Sequence, residues 1–146
     1  MHYDIVLAWQ SLPTLLSGTV TTLVVLLPVL VLGLAMSIPI ALARLERGPG
    51  SWLAAAYIVF FRGVPSIVLL YLIYSGLPQF SAIRDTSLWV LFSNAYFCAW
   101  VGLTLTHSGY MAEIVRGGLA AVPPGTIEAA QALGLGRMQI LFKLRL

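Results

Sequence analysis

Hydrophobic residues come in long runs along this chain, separated by short charged or Pro/Gly-rich segments. From about Leu15 to Leu45 no charge appears before Arg44, more than the about 20 apolar residues that cross a hydrocarbon layer of about 30 Å. This run predicts a first helical span over 15–45. Gly33 and Pro39 interrupt it, which a membrane helix tolerates where neighbouring helices satisfy the freed backbone groups. Arg44, Glu46 and Arg47, then Gly48-Pro49-Gly50, mark its end and a turn. The second run, Trp52 to Tyr74, is broken by Phe61-Arg62-Gly63-Val64-Pro65. A charge at mid-membrane is costly and Pro65 disfavours helical geometry at Val64, so two pieces are expected: an interfacial helix over 51–61 and a short span over 63–77. Residues 79–87 read as an external loop, with Tyr71, Tyr74 and Trp89 at the boundary where amphipathic aromatics concentrate. A third, more polar span is expected over 88–115, interrupted by Asn94, Thr104, Thr106, His107, Ser108 and Glu113. After the rigid turn Val122-Pro123-Pro124-Gly125 comes a short helix over 126–135. Thr126 or Gly125 caps it, Glu128 lies in its first turn, and Gly134 and Gly136 stop it.

Composition agrees with the pattern. Of the 146 residues 60% are hydrophobic and 9% charged, against about 25% charged in soluble domains, so a one-domain, all-α integral membrane protein with room for three or four spans is expected. Met1 to Thr14 carries Asp4 and no Lys or Arg; it lacks the basic start of a cleavable signal, and the first run is expected to stay as a span. Arg44, Arg47, Arg62, Arg116, Arg137, Lys143 and Arg145 fall on one side of the expected spans and Arg84 on the other. By the positive-inside rule the N-terminus is outside and the short helix cytoplasmic. The net charge of +3 is dispersed, without an aromatic-basic stripe, which argues against nucleic acid.

Several chemistries are disfavoured. Cys98, His2 and His107 are too few for a metal cluster, and Cys98 reads as a small buried hydrophobe. Lys143 follows no Gly-rich loop, so the chain has no phosphate cradle of the Gly-Lys-Ser/Thr kind and is expected to bind no cofactor of its own. No paired carboxylates and no Ser-His-Asp set suggest an enzyme.

Three groups of residues remain as candidates. The 126–135 helix offers Ile127, Ala130 and Leu133 to Leu135 as a small apolar surface, and a helix so short must pack against something. An ordinary interfacial helix is the plainer alternative. Glu113 and Arg116, at i and i+3, are expected to form a structural ion pair near the cytoplasmic boundary, with direct contact to a substrate as the alternative. Thr104, His107, Ser108 and Met111 recur at helical spacing and are candidates for a translocation path; for His107 an interhelical hydrogen bond is the alternative.

The sequence Glu128-Ala129-Ala130, then Gly134, then Leu144 and Leu146 resembles the loop motif of permease subunits of bacterial ATP-binding-cassette importers, with Leu144 where Ile is usual. The motif's Pro would be residue 147, so the resemblance implies a chain truncated at its C-terminus, a fragment of a five-span core. Gly109-Tyr110-Met111-Ala112-Glu113-Ile114-Val115-Arg116-Gly117-Gly118 resembles the segment before that loop in the polar-amino-acid class, which serves histidine, glutamine, arginine and opines. Phe61-Arg62-Gly63-Val64-Pro65 and the run to Tyr74-Ser75-Gly76-Leu77-Pro78 are similar to a second stretch of that class, with Val64 for Thr and Leu69 where Gln is common. Gly18-Thr19-Val20-Thr21-Thr22-Leu23 fits the start of the family's first core span. Arg62 reads as a snorkelling anchor, with gating as the alternative.

The resemblance implies a multi-pass protein of the bacterial inner membrane that translocates a polar amino acid or related solute. Its partners would be an ATP-binding subunit dimer that hydrolyses ATP, a second permease subunit, and a periplasmic or lipid-anchored solute-binding protein. Glu128, Ala129, Ala130, Gly134 and Leu135 would couple it to the ATPase. The rival readings are a small channel or pore-forming protein, a membrane-integral enzyme and a nonfunctional permease fragment.

Overall fold

The computed structural model describes residues 2–46 and 48–145, and side chains over 6–46, 48–136 and 138–143. Arg47, Leu146 and the side chains of Arg137, Leu144 and Arg145, which enter the charge count and the motif above, lie outside it. Every element among the described residues is helical.

Helix α1, His2–Leu45, is one continuous helix of 44 residues with Pro13, Pro28 and Pro39 inside it. At 1.5 Å per residue it is about 66 Å long, roughly twice the thickness of a hydrocarbon layer. It begins well before the expected Leu15, because residues 6–14 add Trp9, Leu7 and Leu12 and contain no charge or Gly to stop it. Helix α2, Pro49–Gly63, turns back along α1, with Arg44 Nη1 donating to Ser51 Oγ at 3.1 Å across the hairpin. Pro65 then forces Val64 into an extended conformation (φ −85°, ψ 124°). Beyond it run α3, Ser66–Tyr71, a π turn over Leu72–Gly76 and a 3₁₀ turn over Leu77–Gln79, inclined at 98° to α2.

The segment expected to be a loop contains α4, Ser81–Arg84, and the expected third span is divided: α5 covers Trp89–Phe92 and α6 Ala95–Ala120. The division has a clear cause. Asn94 is in an extended conformation, and its Oδ1 accepts from the backbone N–H of Tyr96 (2.9 Å) and Phe97 (3.3 Å), satisfying donors that a new helix leaves unpaired. Asn94→Ala is expected to destabilise α6 by about 1 kcal/mol, lowering the melting midpoint in detergent; an unchanged midpoint would show the cap to be dispensable.

Helices α1 and α6 run parallel and form the main packing contact: Val24 meets Trp100, and nine residues further Gly33 meets His107. The buried positions of α1 are Val29, Gly33, Ser37 and Ala41, one row at four-residue spacing; those of α6 include Thr104, Ser108 and Ala112, another such row. Rows of small residues let helix backbones approach closely where apolar solvent offers no hydrophobic drive. α2 lies against α6 at Gly109, where an added Cβ would stand 3.4 Å from Phe61 Cβ, and α3 at Gly102, where it would meet Leu70 Cδ2 at 2.9 Å. Leu69, Ile73 and Cys98 form the small core beside this contact.

By length and hydropathy α1 is suited to crossing a membrane from Val6 to Leu45, and the bent pair Pro49–Gly63 with Ser66–Gln79 is suited to a second crossing. α6 is long enough, but Thr104, Thr106, His107 and Ser108 leave it too polar to qualify on composition.

Helix α7, Pro124–Ala132, follows α6 after a short turn, with α8, Arg137–Ile140, and a π turn over Leu141–Arg145 behind it. It starts at Pro124 and not at the expected 126. Pro123 holds the cap position without a side-chain hydrogen bond, and Pro124 occupies the first helical position, where a missing N–H costs nothing. Glu128 therefore lies beyond the first turn, where the helix dipole has little hold on it.

Candidate functional site

Two places carry features beyond packing. The first is the end of α7. Gly134 has φ +80°, the left-handed conformation that glycine adopts at little cost. Its N–H donates to Gln131 O (2.9 Å), and the N–H of Leu135 donates to Ala130 O (3.0 Å). These two bonds make a Schellman cap, which satisfies the last carbonyls and reverses the chain into α8. The glycine is required for its backbone, since no atom lies within 4 Å of where a Cβ would stand.

The cap divides the α7 side chains into two sets. Ala130 is buried at 5% exposure, and Ile127 and Gln131 line a hollow of about 470 Å³ shared with Leu42 and Leu45 at the end of α1 and Ile140 of α8. Facing away are Glu128, Ala129, Ala132 and Leu133, the last 83% exposed. Of the five residues singled out from the sequence, Glu128 and Ala129 thus present an outer surface, Ala130 packs inward, and Gly134 and Leu135 build the cap. Leu133, already counted in the apolar surface expected of this helix, is a bare apolar side chain at its end, immediately before the capping glycine.

The second place is a cavity of about 610 Å³ between α1 and α6, with Ser66 beyond the bend also in its lining. Its polar lining comes from Thr21 and Thr22 of α1 and Thr106, His107 and Tyr110 of α6. The threonine hydroxyls donate to carbonyls of their own helices (Thr21 to Ser17 O, 3.1 Å; Thr22 to Gly18 O, 2.9 Å; Thr106 to Gly102 O, 3.2 Å), leaving their oxygens as acceptors for a ligand donor. The His107 ring rests against Gly33: a Cβ there would come within 3.1 Å of His107 Cγ and closer still to the ring edge. The volume is in the range of small-molecule sites, and its acceptors suit the N–H groups of a polar solute.

The four path candidates separate in the structure. His107 lines the cavity. Ser108 is fully buried and lies 2.7 Å from Tyr57 Oη, in the contact between α2 and α6 where it also donates to Leu105 O (2.9 Å). Thr104 is buried, with no partner for its hydroxyl among the described residues. Met111 is half-buried and outside the cavity lining. Thr106 and Tyr110 sit on the other side of His107, a face that spacing from Thr104 did not select.

Below the cavity Arg116 donates from Nε and Nη2 to Glu113 Oε1, at 3.1 Å for Nε, with about a third of each side chain exposed. An ion pair so placed contributes little stability by itself, about 0–1 kcal/mol. Tyr110 Oη donates to Arg62 O at 3.2 Å, and the Arg62 guanidinium lies 5.4 Å from the Tyr110 ring centre, tying the elbow after α2 to α6. Among the described residues no three His, Cys, Asp or Glu side chains gather in a metal-binding group.

Comparison with known proteins places this architecture. Residues 33–146 match the family described as binding-protein-dependent transport system inner membrane component. The chain is 41% identical over 143 residues to the octopine transport system permease protein of Rhizobium radiobacter, covering 96% of this chain and 58% of that one. It is 37% identical over 135 residues to the arginine ABC transporter permease protein of Haemophilus influenzae, covering 90% and 59%. A crystal structure of an amino acid ABC transporter with histidines superposes with a TM-score of 0.76 at 31% identity, over 93% of this chain and 60% of that one. The chain thus spans about three-fifths of the length of these relatives. With the match covering α2 to α8 and most of the packed half of α1, the chain belongs to the family of inner membrane components of binding-protein-dependent transport systems.

Proposed function

We propose that this chain is the permease subunit, in part or whole, of an ATP-driven importer that moves a polar amino acid or opine across the bacterial inner membrane. α1, the bent pair and α6 are its three spans, with the N-terminus outside and α7 in the cytosol as the coupling helix. The solute passes beside the cavity between α1 and α6, where His107 and the threonine oxygens meet it. An ATP-binding subunit dimer, which alone binds and hydrolyses ATP, docks on the outer surface of α7; a second permease subunit and an external solute-binding protein complete the system. The observation that carries this reading is α7 itself, a short helix capped by Gly134 that leaves Glu128, Ala129, Ala132 and Leu133 uncovered. The names of the octopine and arginine relatives support the solute class.

The test is capture. Membranes from cells that express this chain together with the ATP-binding subunit of an octopine or arginine importer are dissolved in mild detergent, and the tagged chain is purified. The ATP-binding subunit is expected to follow it, and Leu133→Glu to reduce its recovery at least about tenfold, since burying an unpaired carboxylate at an apolar contact costs more than about 1.4 kcal/mol. Equal recovery with both chains would remove α7 as the docking element. Ion conductance in liposomes without any ATPase would favour a channel instead.

A further inference from the structure

Pro28 lies inside α1 and has no N–H, so the carbonyl of Val24, four residues earlier, loses its helical donor. In an apolar surrounding such an orphan carbonyl is costly. The neighbouring helix fills the vacancy: Trp100 Nε1 of α6 donates to Val24 O at 3.1 Å. The hollow around this bond is lined by Val20, Leu23, Val24, Leu27 and Pro28 beside the indole, and none of those side chains has a donor to offer in its place.

We propose that Trp100 is a positioning residue, supplying to α1 the hydrogen-bond donor that Pro28 removes and so holding the segment before Pro28 in register with α6. A helix bends most readily where a proline interrupts its ladder, and the indole is fastened at that joint. The placement bears on the cavity, whose lining straddles it. Thr21 and Thr22 precede Pro28, Val29 follows it, and Leu103, Thr106 and His107 stand one to two turns along α6 from Trp100. With the indole bond in place the two threonines face Thr106 and His107; without it the outer part of α1 is free to lean away. This holds whatever the cavity carries, and does not rest on the proposed function.

Bulk and hydrogen bonding are separated by an isostere. Replacing Trp100 by 3-benzothienylalanine keeps the ring shape but exchanges the N–H for sulfur. The melting midpoint of the chain in detergent is expected to fall by about 4 °C. In the Pro28→Ala background residue 28 regains an N–H for Val24 O, and the same replacement is expected to shift the midpoint by less than about 1 °C. Equal shifts in the two backgrounds, or no shift in either, would overturn the proposal. The unaltered protein offers a second reading that needs no variant to fold: the Trp100 indole N–H is expected to exchange with deuterium at least about ten times more slowly than that of Trp52, which is 81% exposed. Comparable exchange rates would overturn it equally.

Discussion

Gly134→Leu is expected to abolish capture of an ATP-binding subunit and, in a working importer, to leave ATP hydrolysis unlinked to uptake. The side chain itself has room, since nothing lies within 4 Å of the added Cβ. What fails is the backbone. At φ +80° an L side chain meets its own carbonyl, costing about 1–2 kcal/mol, and the chain relieves this by leaving the left-handed region. The bonds from Gly134 to Gln131 and from Leu135 to Ala130 then go together, and the last turn of α7, with Leu133 on it, loses its direction. Gly134→Ala should show nearly the whole defect in spite of its small size, whereas Gly134→Asn, which tolerates this conformation, should keep a substantial part of the activity. Measured as ATPase stimulated by the solute-loaded binding protein against uptake in the same proteoliposomes, a defect that grew with side-chain volume and spared alanine would refute a conformational role. Undisturbed coupling in Gly134→Leu would remove the glycine from the mechanism.

Gly33→Leu is expected to be the most damaging single change in the membrane-facing part. The row Val29, Gly33, Ser37 and Ala41 presses α1 on α6, and at Gly33 even a methyl group would overlap the His107 ring. A larger side chain must either turn the imidazole out or part the helices, and overpacking of this kind costs about 1–3 kcal/mol. Parting the helices would also spoil the cavity, which is built from the same two faces. Because the obstacle is one ring, Gly33→Ala combined with His107→Ala should recover most of the stability lost by Gly33→Ala alone, a coupling visible in a double-mutant cycle of melting midpoints. Additive effects would show that the ring is not the obstacle.

The long elements were legible because they depend on properties that a sequence displays directly. Apolar composition free of charge marked α1 from Leu15 onward, and Pro65 after Arg62 marked the break between α2 and α3. The capping glycine was legible too, as a Gly just past a short helical run. What escaped was set by particular hydrogen-bond and packing partners, near and distant, that hydrophobic spacing does not name. Asn94 read as a polar residue within a span, yet it starts α6 by turning its own carboxamide onto Tyr96 and Phe97, a local alternative that no periodicity reports. Helical spacing put Thr104, His107, Ser108 and Met111 on one face, but a face 100° wide reaches two neighbours at once. Ser108 meets Tyr57 of α2 while His107 meets α1, and the cavity opens on the side that holds Thr106 and Tyr110. Nor does the sequence mark Val24 O as the acceptor for Trp100, since the acceptor is a backbone atom and the cause is a proline four residues later.

Cys98 is 1% exposed, with its Sγ donating to Phe92 O at 3.3 Å, and it is the only cysteine in the sequence. A thiol so enclosed is out of reach of maleimides and spin labels under native conditions. The protein therefore comes ready for reporter chemistry: a cysteine introduced at Leu133 or Thr22 can be tagged selectively without first disturbing the core that Cys98 shares with Leu69 and Ile73. Distance measurements between such tags would then report how α7 and the segment of α1 before Pro28 move relative to each other.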